Sequence, residues 1–191
     1  MRYILLLMGV FLFIHTSQAQ NRKFEAVNTK ADGSKLVGTV KEFIPHDDVI
    51  KFRTSKEEKW VKVPAKTISS LLLKFEEGQE LFFERIKVLP DEDYYVLSPL
   101  LYSGKLKVYQ SRYFNSGTYW EHWYLMRSGD AYATRIFGDY KHLTEMIRPY
   151  FQDCPQLMKS IEERAYKSYE DLVLMATEYD RLMQKESKVS R

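Results

Sequence analysis

Few side chains in this sequence carry reactive chemistry, and their spacing limits what they can do. The single cysteine, Cys154, lies in YFQDCPQLMKSI (150–161), just before a proline where a helix is expected to begin. A thiol at a helix N-terminus feels the positive end of the helix dipole, which favours the thiolate, whereas the adjacent Asp153 carboxylate opposes it. There is no Cys-x-x-Cys pair for dithiol exchange, and nothing in the sequence pairs a histidine with the thiol. The expected role of Cys154 is therefore structural, a small apolar residue buried where a helix meets the sheet. PHDD (45–48) offers one His and two Asp on a turn, too few and too close for a committed metal site, and turn chemistry accounts for the Asp pair. The carboxylates of PDEDYY (90–95) fall on an apparent loop, where solvated charge is the default. Glu121 and His122 with a distant carboxylate would be the raw material of a hydrolase. No nucleophile elbow, phosphate loop or dinucleotide fingerprint accompanies them. The sequence thus nominates no catalytic residue, no metal ligand and no cofactor.

The most unusual stretch is TYWEHWYLMR (118–127). Read as a strand, it sends Trp120, His122, Tyr124 and Met126 to one face and Tyr119, Glu121, Trp123, Leu125 and Arg127 to the other. The first face has no formal charge and suits a core. The second, joined by Lys107, Tyr109, Ser111 and Tyr113 of the preceding strand, would make an aromatic platform with a polar rim. Tyr109, Tyr113, Tyr119, Trp123 and Arg127 are accordingly the candidate binding residues. Aromatics and Arg are enriched in protein interfaces, and flat aromatics also suit sugars, peptides or lipid head groups. The competing expectation is that C-terminal helices cover this face and make the aromatics core.

The elements that must position these residues divide into two regions. Residues 23–137 read as strands separated by turns: ADGS after KFEAVNTK, PHDD, SKEE, Glu77-Gly78, NSG and SGD. PAKT (64–67) is a turn or helical step, and 94–104 is expected to hold a short helical piece before the next strand. After Gly138 the period becomes helical. Asp139 can cap a helix whose inward residues are Leu143, Met146, Ile147, Tyr150 and Phe151, with Pro149 expected to kink or end it early. A second helix starts near Cys154-Pro155, with Leu157, Met158 and Ile161 inward. A third starts at Ser168, with Leu172, Met175, Ala176, Tyr179, Leu182 and Met183 as its stripe. Each stripe needs a partner surface, and the sheet supplies it. The expected class is α+β: an antiparallel β-meander sheet, an open roll or partial barrel, followed by about three C-terminal helices packed on it.

The chain has 191 residues, with 14 Tyr, 11 Phe and 3 Trp but only 8 Gly and 6 Pro. Arg2 precedes an apolar run, Ile4–Ile14, and Ser17-Gln18-Ala19 ends in small residues at the peptidase positions. This is the pattern of a signal peptide cleaved after Ala19; the run is too short to span a bilayer. The expected organisation is a signal peptide over 1–19, one domain over 20–183 and a polar tail over 184–191. No later segment reads as transmembrane. Net charge is +3, and Arg2 leaves with the leader, so the mature chain is near neutral. That argues against a dedicated nucleic-acid binder, which concentrates basic charge.

PAKTISSLLLKFEEGQELF (64–82), LSPLLYSGKLKVY (97–109) and DCPQLMKSIEERAYKSYEDLVLMATEY (153–179) together resemble a loose group of uncharacterised exported proteins of the Bacteroidota. The third stretch, with its Asp-Cys-Pro, is the most specific, and the resemblance covers roughly residues 35 to 180 by pattern. It implies a cell-envelope address and a β-rich body; it implies no activity or ligand, and the leader leaves periplasmic, envelope-associated and extracellular destinations open. The leading expectation is a non-enzymatic binding or accessory module whose partner is another envelope protein. The alternative is a small-ligand binder for glycans or lipids with a cavity between sheet and helices.

Overall fold

The computed structural model describes residues 23–41, 49–75, 78–88 and 94–189, with the backbone alone for 113–115, 140 and 186–189. The leader, the PHDD turn and the acidic loop at 90–93 lie outside the described residues. Ten strands form one antiparallel sheet: β1 (Lys23–Lys30), β2 (Lys35–Lys41), β3 (Val49–Arg53), β4 (Val61–Pro64), β5 (Ile68–Lys74), β6 (Glu80–Lys87), β7 (Tyr95–Ser103), β8 (Leu106–Asn115), β9 (Thr118–Arg127) and β10 (Thr134–Ile136). Their spatial order is β10-β9-β8-β7-β6-β5-β1-β2-β3-β4. Neighbours in sequence are neighbours in space except where β5 returns to pair with β1. Three helices follow, α1 (Tyr140–Phe151), α2 (Pro155–Glu162) and α3 (Leu172–Val189). This is the expected α+β class.

The turns follow from local chemistry. At the β1–β2 hairpin Gly33 takes a positive φ of 84°, and the Asp32 carboxylate accepts the Ser34 N–H at 2.8 Å. Asn115 pairs with Thr118, so the β8–β9 hairpin turns on Ser116 and Gly117, both at positive φ (51° and 84°). That is the two-residue geometry whose twist matches paired strands. The expected helical piece before Gly104 is instead the end of β7. Ser-Pro sits within it, Pro99 opposite Phe83, because the residue before a proline prefers extended backbone. Both faces of this strand are covered, so it lacks the alternation that marks a half-exposed strand.

The sheet curls in two directions. A short 3-10 turn (Ala65–Thr67) at the end of β4 packs on β7, six strands away in sheet order, and Arg85 donates to the Lys66 carbonyl there. The first half thus rolls over one face and encloses Ala26, Val40, Ile50, Phe52, Leu71, Leu73, Phe83 and Leu97. At the other end the Ala133 N–H donates to the Lys87 carbonyl at 2.8 Å. Strands β10 and β6 are four apart, which in a flat sheet is about 19 Å at roughly 4.8 Å per strand. The second half therefore curls over the opposite face, around Ile86, Val96, Tyr109, Tyr124 and Ala133.

The helices pack on the outside of this second curl, against Leu106, Val108, Trp123, Leu125 and Ile136. The expected stripes are the buried ones: Leu143, Ile147, Tyr150 and Phe151; Leu157, Met158 and Ile161; Leu172, Met175, Ala176, Tyr179 and Leu182. Each fully buried Leu or Ile among them contributes about 1.5–3 kcal/mol. Asp139 caps α1, its Oδ1 accepting the His142 N–H at 3.0 Å. Pro149 lies inside α1, which continues two residues beyond it to Phe151. The expected polar tail is a continuation of α3, which runs to Val189.

Candidate functional site

Register decides what became of the aromatic platform. Because Asn115 faces Thr118, Tyr109 stands opposite Tyr124, Ser111 opposite His122 and Tyr113 opposite Trp120. The other face pairs Val108 with Leu125, Gln110 with Trp123 and Arg112 with Glu121. Tyr109 and Tyr113 thus share a face with His122, whereas Tyr119, Trp123 and Arg127 lie on the reverse. The single-face platform expected from sequence does not form: the faces of β8 and β9 were matched one residue out of phase, and a one-residue slip exchanges faces. Glu121 and His122, being consecutive, point to opposite sides, and no acid–base pair arises between them.

On the helix side, Trp123 is buried in the core, where the small-ligand reading had placed a cavity. Arg127 reaches out from the end of β9. It donates to the Tyr150 carbonyl (2.8 Å), the Tyr179 hydroxyl (3.2 Å) and Asp153 Oδ2 (3.4 Å), and Tyr179 itself donates to Asp153 at 2.8 Å. This clamp gives the Asp-Cys-Pro stretch a physical meaning. Asp153 receives the cation and the phenol. Cys154, buried, is the N-cap of α2 and donates its N–H to the Phe151 carbonyl at 2.9 Å. Pro155 occupies the first helical turn, where its missing N–H is not needed. Next to Tyr179, Asp180 accepts from the Tyr102 hydroxyl (2.7 Å) and the Lys105 N–H (3.2 Å), tying α3 to the β7–β8 turn. Burial first, then the Asp180 bond, pushes the Tyr102 hydroxyl up to about 12.

The concave face of the second curl is polar where the strands cross. Glu84 of β6 accepts from Lys107 Nζ (2.8 Å) and from the buried Tyr109 hydroxyl (2.6 Å). Burial, then the Glu84 carboxylate, drives that phenol far above its ordinary range. Ser111 and Ser98 share a hydrogen bond at 3.2 Å, and His122 Nδ1 lies 3.4 Å from the Tyr124 hydroxyl. Burial, then the Arg135 charge, lowers the His122 pKa and keeps the imidazole neutral near pH 7. The carboxylate is saturated by its own neighbours, an arrangement that holds strands together.

The remaining feature is the end of the β8–β9 hairpin. The paired ladder of β8 with β7 stops at Tyr109 and that of β9 with β10 at Trp123, so beyond Ser111, which still reaches Ser98 of β7, the hairpin end is laddered to neither neighbour. Tyr119 and Trp120 stand there on opposite faces, 56% and 48% exposed. Below them Glu121 gathers Gln110 Nε2 (2.9 Å), Trp123 Nε1 (2.7 Å) and Arg112 Nε (3.0 Å). Burial alone would raise the Glu121 pKa; the three donors and the Arg112 charge together outweigh it and hold the carboxylate below its usual range. The sequence reading included Tyr119 but assigned Trp120 to the core; only the register shows that this part of β9 lies beyond the ladder with β10. Among the described residues no group of His, Cys, Asp or Glu could hold a metal ion, and no helix is long and apolar enough to cross a membrane. No family model, curated protein or solved structure matches the chain.

Proposed function

We propose that this protein is an exported, non-enzymatic binding or accessory module of the bacterial envelope that engages a protein partner through the projecting end of its β8–β9 hairpin. Export is inferred from the leader pattern at residues 1–19. The observation that carries the binding reading is the exposure of Tyr119 and Trp120 at a hairpin end beyond the ladders with β7 and β10. Large aromatics are over-represented among the residues that dominate interface energetics. The Glu121 network beneath them holds the base of the hairpin in one geometry, which reduces the ordering cost of association.

The test is crosslinked capture by the tagged protein from native envelopes, compared with a Tyr119→Ala/Trp120→Ala double variant. One stoichiometric protein partner, lost in a variant whose far-UV spectrum is unchanged, is the expected result. Capture that survives the double substitution refutes the assignment of this surface. Tyr109→Ala and Trp123→Ala are unsuitable probes, since both side chains are buried and their loss would unsettle the fold.

A further inference from the structure

We draw no further inference here: the strongest candidate, the buried side-chain oxygen of Asn28 on β1, which accepts no hydrogen bond from the described residues inside the first roll, carries nothing because its partners across the two neighbouring strands, Leu36 and Leu71, are apolar and nothing in the structure shows what would bind there.

Discussion

Replacing Arg127 with Met tests whether the clamp between β9 and the helices is a principal fastening of the second layer. Met keeps much of the aliphatic stem that packs along the interface and removes the guanidinium. The largest loss is the 2.8 Å bond to the Tyr150 carbonyl, near the C-terminal end of α1. A charge-assisted bond of that kind is worth about 1.5–3 kcal/mol, part of it the favourable meeting of a cation with the helix C-terminus. The Asp153 contact is longer, and the two side chains are 35% and 44% exposed, so solvent screening reduces it to a few tenths of a kcal/mol. The Tyr179 ring, 5.9 Å from the guanidinium, adds about 0.5 kcal/mol. The expected destabilisation is about 2–3 kcal/mol, or roughly 5–10 °C in Tm for a domain of this size. Urea melts followed by far-UV circular dichroism and by tryptophan fluorescence measure it. Arg127→Lys should fall between wild type and Met, since an ammonium cannot reach all three partners as the planar fork does. A Tyr179→Phe background should shrink the Met effect by about 0.5–1 kcal/mol through the shared hydroxyl. If Arg127→Met lies within about 0.5 kcal/mol of wild type, the clamp does not fasten the helices and the reading of the Asp-Cys-Pro stretch fails with it.

Gly104→Ala would place a Cβ 1.8 Å from Asp180 Oδ2 and 2.9 Å from the Tyr102 ring, expelling Asp180 from its bonds to Tyr102 and Lys105. A loss of about 1–3 kcal/mol is expected, and spectrophotometric titration should show the Tyr102 phenol, now at about 12, ionising at lower pH. His122 has a folded pKa below its ordinary 6.5, so the unfolded chain binds the proton more tightly. Its contribution is complete above about pH 6.5 and is lost as pH falls through that value towards the folded pKa. Thermal melts across this window should show a drop in Tm that His122→Asn removes. An identical slope in the variant would assign the effect to other groups.

The elements that sequence announced are those governed by neighbours along the chain. Asp-Gly and Asn-Ser-Gly mark hairpin turns, the second of two residues, Asp139 and Cys154-Pro155 mark helix starts, and the apolar spacing of 172–183 selects the buried side of α3. Where the outcome depended on what lies alongside, sequence was ambiguous. The stretch YVLSPLLYS has no period because β6 and β8 flank it and both its faces are covered, so an apolar run read as helix became a central strand. Its irregularity at Leu100–Tyr102 also shifts the phase between β7 and β8. A phase error of this kind separated Tyr109 from Trp123.

The same argument explains why a near-neutral composition concealed a basic face. Lys23, Lys41, Lys51 and Lys62 are separated by 18, 10 and 11 positions, intervals with no common period, and each stands in an ordinary alternating strand. Only the pairings β1–β2, β2–β3 and β3–β4 bring them onto one line, and those pairings follow from hairpin registers that a slip of one residue would undo. Such a slip is strongly resisted, because it would also expose Val40, Ile50 and Phe52, all buried, on the solvent side. The core that fixes the register therefore also fixes the lysine row. The burial of those three side chains, each worth about 1.5–3 kcal/mol, is what holds that line in place.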